Sequence, residues 1–197
     1  MAPEASWRNH SLILLHSSQC LGRWRPVFAG TEGRAMSGIP EDRWDGGESY
    51  DLFMGRWSRA LARSLVGWLD VPPGRHWLEV GCGTGALTEQ VCELADPASV
   101  VAVDPSPHFV GHARAHLEDP RVEFLIAGAD ALPQRSGGFD VVVSSLVLNF
   151  IPDPVAGVTS MREAAADEGL VAACVWDYAG GMEFLRRFCG CRKFRPC

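Results

Sequence analysis

Two hydrophobic rhythms alternate along this chain. Five short runs, Trp77–Val80, Ser99–Val103, Val122–Ile126, Phe139–Ser145 and Gly169–Trp176, are apolar over most of their length. Such runs read as strands covered on both faces, because a strand with one wet face alternates instead. Between and before them the apolar positions recur at the helical period. Leu52, Phe53, Trp57, Ala60, Leu61, Leu65, Trp68 and Leu69 mark a helix over Tyr50 to Leu69, stopped by Val71-Pro-Pro-Gly74. Leu87, Val91 and Leu94 mark a second over Ala86 to Ala95, and His108 to Leu117 a third. A fourth opens at Asp153-Pro154 with Val155, Val158, Met161 and Ala165, and a short one spans Met182 to Phe188. Strands alternating with helices predict an α/β fold: a doubly wound, mostly parallel sheet with helices on both faces.

The first strand runs into Gly81-Cys-Gly-Thr-Gly85 and from there directly into a helix. Glycines in that place let backbone N–H groups at a helix start approach a ligand without a Cβ in the way. Glu79 sits inside the strand just before the turn, and a buried carboxylate costs stability unless it meets a partner. Asp104 closes the second strand roughly 20 residues past the turn, where doubly wound folds place an acid for ribose hydroxyls. Its competing role is to cap the helix that follows. Asp130 lies in the loop after the third strand, and Ser145 at the exit of the fourth. Ligands in such sheets bind at the carboxyl ends of the strands, and all of these residues fall there.

Composition narrows the picture. The chain has 197 residues, 47% of them hydrophobic, enough for one domain with a substantial core. No run approaches the roughly 18 apolar residues of a membrane span. A net charge of −6 argues against nucleic acid as the main partner. Cys82, Cys92 and Cys174 read as buried thiols of a reducing compartment, which places the protein in the cytoplasm. His108, His112 and His116 fall on one helix face with metal-pair spacing, yet no carboxylate stands in register, so a solvated face is expected. Cys189, Cys191 and Cys197 lack a fourth ligand. No metal is expected. Met1 to Ala35 shows no sustained period: Leu12–Leu15 is too short for a secretory core, and Pro26 breaks any transit-type helix.

Two ligands suit a glycine turn with a downstream acid. Gly81, Gly83 and Ala86 formally fit the dinucleotide fingerprint, but a pyrophosphate would lie near the like charge of Glu79. S-adenosylmethionine carries no phosphate and brings an ammonium and a sulfonium, both suited to a carboxylate-lined pocket. The cationic ligand is favoured.

LEVGCGTG, VVAVDPS, GADALP, FDVVVSSLVLNFIPDP and VAACVWDYAGGMEFLRRF resemble, in order, the successive motifs of class I S-adenosylmethionine-dependent methyltransferases, and most of all the small-molecule "methyltransferase type 11" group. YDLFMGRWSR is similar to the helix that caps the cofactor pocket there, so the match runs from about Tyr50 to Phe188. The resemblance implies a Rossmann-like fold and S-adenosyl-L-methionine as cofactor. Glu79 would hold the methionine amino group through water, and the turn Gly81, Cys82, Gly83 and Gly85 would pass beneath the methionine moiety. Asp104, followed by Pro105, would take the ribose hydroxyls. Asp130 would take the adenine amino group, and the Ala131 backbone the ring edge. Ser145 would line the methionine side, and Tyr50 would contribute from the capping helix.

Methyl transfer is an in-line displacement that depends mainly on orientation, and a base is needed only if the acceptor loses a proton early. No residue is nominated as that base. Asn149 fits an acceptor contact and a loop hydrogen bond equally well. The expected acceptor is a small molecule, with neither nucleic acid nor membrane as partner.

Two departures from the family stand out. Ala166-Asp-Glu-Gly169 replaces its basic-Pro-Gly-Gly turn, and five strands stand where the family core has seven, which would leave the C-terminal sheet edge uncovered. The expected layout is therefore a disordered or artefactual extension over 1–35, a partial methyltransferase domain over 36–188 and a tail outside the family over 189–197. Removing 1–35 is expected to leave melting temperature and cofactor affinity unchanged. The competing functional readings are a non-catalytic, methyltransferase-like binding module and an NAD-dependent oxidoreductase, which lacks an identifiable hydride-transfer acid.

Overall fold

A computed structural model describes residues 10–16 and 55–176. Tyr50 and the segment Met182 to Phe188 lie outside the described residues, as do 1–9, 17–54 and 177–197. The elements are β1 (His10–His16), α1 (Arg56–Leu69), β2 (His76–Val80), α2 (Ala86–Leu94), β3 (Ser99–Asp104), α3 (Pro107–His116), β4 (Val122–Ile126), β5 (Phe139–Ser145), a 3₁₀ turn (Leu148–Phe150), α4 (Pro154–Ala164) and β6 (Ala165–Trp176).

The sheet has the order β1-β6-β5-β2-β3-β4. Strands β2 to β6 are mutually parallel, so the α/β doubly wound arrangement read from the sequence is present. Its Rossmann-like character follows from the reversal of strand order beside β2. Strand β1 is the departure. It runs antiparallel to β6, from His10 opposite Trp176 to His16 opposite Leu170, and covers the edge expected to be bare. A stretch with no visible period in the sequence thus supplies an element, within a segment expected to be an extension outside the fold.

Alternate residues of each central strand enter different cores. Trp77 of β2 and Val141 and Val143 of β5 join Leu61, Ala62, Leu65 and Val66 of α1 and Leu87 and Val91 of α2. Leu78, Val80 and Val142 join Met161 and Ala164 of α4 on the opposite face. A smaller cluster under α3 holds Cys82, Ala102, Val110, Ala113 and Phe124. Because the sheet is covered twice, its strands show no alternation of apolar and polar residues.

Local signals explain where helices start and stop. The Ser106 hydroxyl accepts from the Phe109 N–H at 3.4 Å ahead of Pro107. Asp153 Oδ1 accepts from the Val155 and Ala156 N–H groups at 3.1 and 3.0 Å ahead of Pro154. Each such cap contributes about 1 kcal/mol. Helix α1 ends at Asp70, which takes a left-handed φ of 47° before the two prolines. Trp57 and Trp68, read with the apolar face of this helix, lie at its margins and are 56% and 45% exposed. A cavity of about 540 Å³ opens at the amino ends of the strands, between Trp68, Arg75, Asp140 and Leu170.

Candidate functional site

The opposite end of the sheet carries the chemistry. Strand β2 delivers Glu79 to the same face as Trp77, toward α2, where it is 2% exposed. Its Oε2 accepts a hydrogen bond from the Thr88 hydroxyl at 2.6 Å. The charged neighbour acting on it is Asp104, a like charge, and Glu79 takes part in none of the ion pairs among the described residues. Burial pushes its carboxyl up from 4.5 to about 8; Thr88 pulls it down and Asp104 pushes it further up.

The turn after β2 holds itself together. The Gly81 and Cys82 N–H groups both donate to the Val103 carbonyl, at 2.8 and 2.9 Å, and the Gly85 N–H donates to Cys82 O at 2.9 Å. The Gly83 N–H donates to Asp104 Oδ2 at 2.9 Å. Four donors that a phosphate-binding turn would offer to its ligand are thereby engaged within the protein. Gly81 has φ +80°, and a Cβ there would lie 2.5 Å from Val147 side-chain carbons. Gly83 has φ +52° with open space where a Cβ would point.

Asp104 is 7% exposed at the end of β3. Besides Gly83, it accepts from the Ser106 N–H through Oδ1 at 2.9 Å. Burial raises its carboxyl and these two donors lower it. The cap of α3 is Ser106, while the Asp104 carboxylate holds the Gly83 turn and the Ser106 N–H. The Ala127 N–H donates to Asp104 O at 3.1 Å, tying the loop of Asp130 to that of Asp104. Asp130 and Ala131 are both exposed in that loop, with the Ala131 N–H donating to Gly128 O at 3.1 Å.

Three expected residues play a different local part. The Cys82 side chain is buried in the small cluster under α3, with its thiol pushed upward by burial and by Glu79, so it shapes the turn from below. Pro105 is exposed beside Asp104. Ser145 is half-buried, its Oγ 3.3 Å from Cys174 Sγ on β6. Tyr50 lies outside the described residues. Asn149 is exposed in the 3₁₀ turn. His112 and His116 stack with ring centroids 3.9 Å apart, and no group of three potential metal ligands occurs among the described residues.

Two contributors escape a reading by periodicity. Thr88 is fully buried while Leu94 is 43% exposed, so the buried face of α2 is rotated from the Leu87, Val91, Leu94 stripe. A polar residue beside that stripe, one turn into the helix, was the available signal. Leu146 holds a left-handed φ of 63°, with its N–H donating to Cys174 O at 2.8 Å, and no sequence signal marks it. Strain of this kind clusters at functional sites.

Comparison with known proteins places the chain in context. Residues 78–169 match the family model described as a methyltransferase domain. A malonyl-[acyl-carrier protein] O-methyltransferase of Geobacter sulfurreducens is 34% identical over 131 residues, 64% of this chain and 48% of that protein. A ubiquinone biosynthesis O-methyltransferase of Cereibacter sphaeroides is 32% identical over 100 residues, 50% of this chain and 40% of the relative. The chain thus spans less than half the length of these curated relatives. Among solved structures, a chain of the complex between the Haloferax volcanii Trm112 methyltransferase activator and a putative methyltransferase superposes with a TM-score of 0.57 at 20% identity, covering 64% of this chain and 54% of that one. The plantazolicin methyltransferase BpumL in complex with SAH gives 0.55 at 16%, covering 68% and 53%. At these identities the structures speak for the fold alone.

Proposed function

We propose that this chain, whose residues 78–169 match a methyltransferase domain, is a class I S-adenosylmethionine-dependent methyltransferase that binds S-adenosyl-L-methionine across the carboxyl ends of β2, β3 and β4 and passes its methyl group to a small-molecule acceptor. The observation that carries this is the pairing of a buried Glu79, which has no ion-pair partner among the described residues, with a turn whose Gly81, Cys82, Gly83 and Gly85 N–H groups are engaged internally. A pyrophosphate needs the reverse, free donors and no acid, which weighs against the NAD reading. The names of the two relatives favour oxygen as the acceptor atom.

S-adenosylmethionine supplies, when bound, a methyl group on a sulfonium that leaves as a neutral thioether. The residues here bind and orient. Glu79 faces the ammonium end. Asp104, fixed at both oxygens by N–H groups, keeps lone pairs for the ribose hydroxyls. Asp130, exposed one loop away, suits the adenine amino group, with Ala131 beside it. Gly83 leaves room over the turn, and Gly81 lets it pass close under Val147. Ser145 lines the methionine side, with the strained Leu146 next to it. Tyr50, preceding α1, is proposed to close over the cofactor, and Cys82 and Pro105 flank the contacts of the turn and the ribose. Orientation of donor against acceptor is worth far more to an in-line displacement than any single proton transfer.

Calorimetry of the full chain with S-adenosylmethionine, S-adenosylhomocysteine and NAD tests the reading. The first two are expected to bind and NAD not to bind. Asp104→Ala is expected to weaken binding about tenfold or more, as loss of hydrogen bonds to a charged group implies. NAD binding more tightly than either thioether ligand would return the site to the dehydrogenase alternative.

A further inference from the structure

Thr88 is a hydroxyl with no exposure, on a helix, aimed away from its own backbone. A threonine inside a helix ordinarily bonds the carbonyl one turn back. Here it donates to Glu79 Oε2, at 2.6 Å. That leaves Oε1 of Glu79 for a ligand. β-Branching makes the threonine stiff at χ1, and the helix that carries it starts at Gly85, inside the ligand turn. The donor is therefore rigid relative to the site it serves.

We propose that Thr88 is a positioning residue: its hydroxyl holds the Glu79 carboxylate in the orientation that receives the ammonium group of the cofactor, and so sets the pH range in which the site binds. This rests on the S-adenosylmethionine reading above. A hydroxyl donor favours the charged carboxylate, whereas burial and Asp104 favour the neutral acid. Among the described residues, the other groups facing Glu79 do not supply a positive charge. Cys82 in the turn and Cys92 on α2 are thiols pushed upward, the latter to about 12. The β5 residues Val141 to Ser144 contain nothing ionisable. On α1, Arg59 and Arg63 pair with Glu89 and Glu93 of α2.

The test is calorimetric titration of the full chain with S-adenosylhomocysteine, which keeps the ammonium, from about pH 6 to about pH 9, on either side of the reference range of an α-amino group. The parent is expected to bind more tightly as Glu79 ionises. Thr88→Val is expected to bind about tenfold more weakly at neutral pH, the loss of one hydrogen bond to a charged group, with its midpoint moved to higher pH. Thr88→Ser is expected to restore both to within about twofold, since it retains the hydroxyl donor. Glu79→Gln is expected to remove the protein's part of the pH dependence. The ligand's own amino group titrates alike against every variant, so differences between variants belong to the protein. Thr88→Ala replaces the valine variant if circular dichroism shows the latter unfolded. A hydroxyl-free variant with the parental midpoint overturns the proposal, as does a serine variant as weak as valine or a pH profile that survives Glu79→Gln. A parent that binds no thioether ligand at any pH removes the cofactor reading, and this proposal with it.

Discussion

Glu79 is held at a cost that the cofactor-free protein cannot recover. Its folded value of about 8 lies above the ordinary 4.5. The folded state therefore binds the extra proton, and stability is full below 4.5, declines as pH rises toward 8, and then levels off. Glu79→Gln removes that decline. In thermal melts without ligand, the variant is expected to gain on the parent progressively between those two values, by up to a few kcal/mol. A gap that stays constant with pH would show that Glu79 is not the group involved. The glycines make a second contrast. Gly81→Ala meets Val147 and a positive φ together, and should destabilise by a few kcal/mol. Gly83→Ala faces open space with φ +52°, so it should cost only about 1 kcal/mol in a melt. It should nonetheless abolish binding of S-adenosylhomocysteine, because its methyl group occupies the space left for the ligand. Equal losses of stability in the two variants would contradict this.

Among the elements, those with a strong period were the legible ones. Strands β2 to β5 and helices α2 to α4 fall within a few residues of where hydrophobic runs, glycines and X-Pro caps put them. Strand β1 was illegible because an edge strand with one neighbour needs no strict pattern; its partner β6 supplies the ladder. The site divides the same way. Glu79, Asp104 and the glycines announce themselves as polar or flexible residues in buried strand ends, whereas Thr88 and Leu146 matter through geometry that the sequence does not spell out. The expectation that 1–35 can be removed without effect now has a structural rival. Deleting residues 1–16 exposes the β6 edge, a template for pairing with other chains. The truncated protein is expected to melt lower and to associate with rising concentration in light scattering. A truncated chain that stays monomeric with the parental melting temperature would return β1 to the status of an appendage.

At the scale of the molecule the two ends of the sheet divide the charged groups. Two acids at the amino end meet arginines: Asp140 with Arg75 at 3.4 Å, and Asp96 with Arg121 at 3.1 Å. Among the described residues, Asp104 and Glu79 at the carboxyl end meet N–H and hydroxyl donors instead. Burial keeps Glu79 largely protonated at neutral pH, so the charge that can draw a cation there is that of Asp104. The cavity at the amino end is acidic too, lined by Asp70, Asp140 and Glu168 against Arg75, but there Asp140 has the arginine as its partner. Among the described residues no helix is long and apolar enough to cross a membrane. The antiparallel β1 carries a further consequence, in time rather than space. It lies about 160 residues upstream of its only neighbour in the sheet. At a synthesis rate of about 5–20 residues per second, β1 waits roughly 10–30 s for β6. During that interval the parallel strands can form in the order they emerge, but the sheet stays open on one side. Closing the loop between β1 and β6 is then a late step for the described sheet, and one exposed to interception by a neighbouring nascent chain.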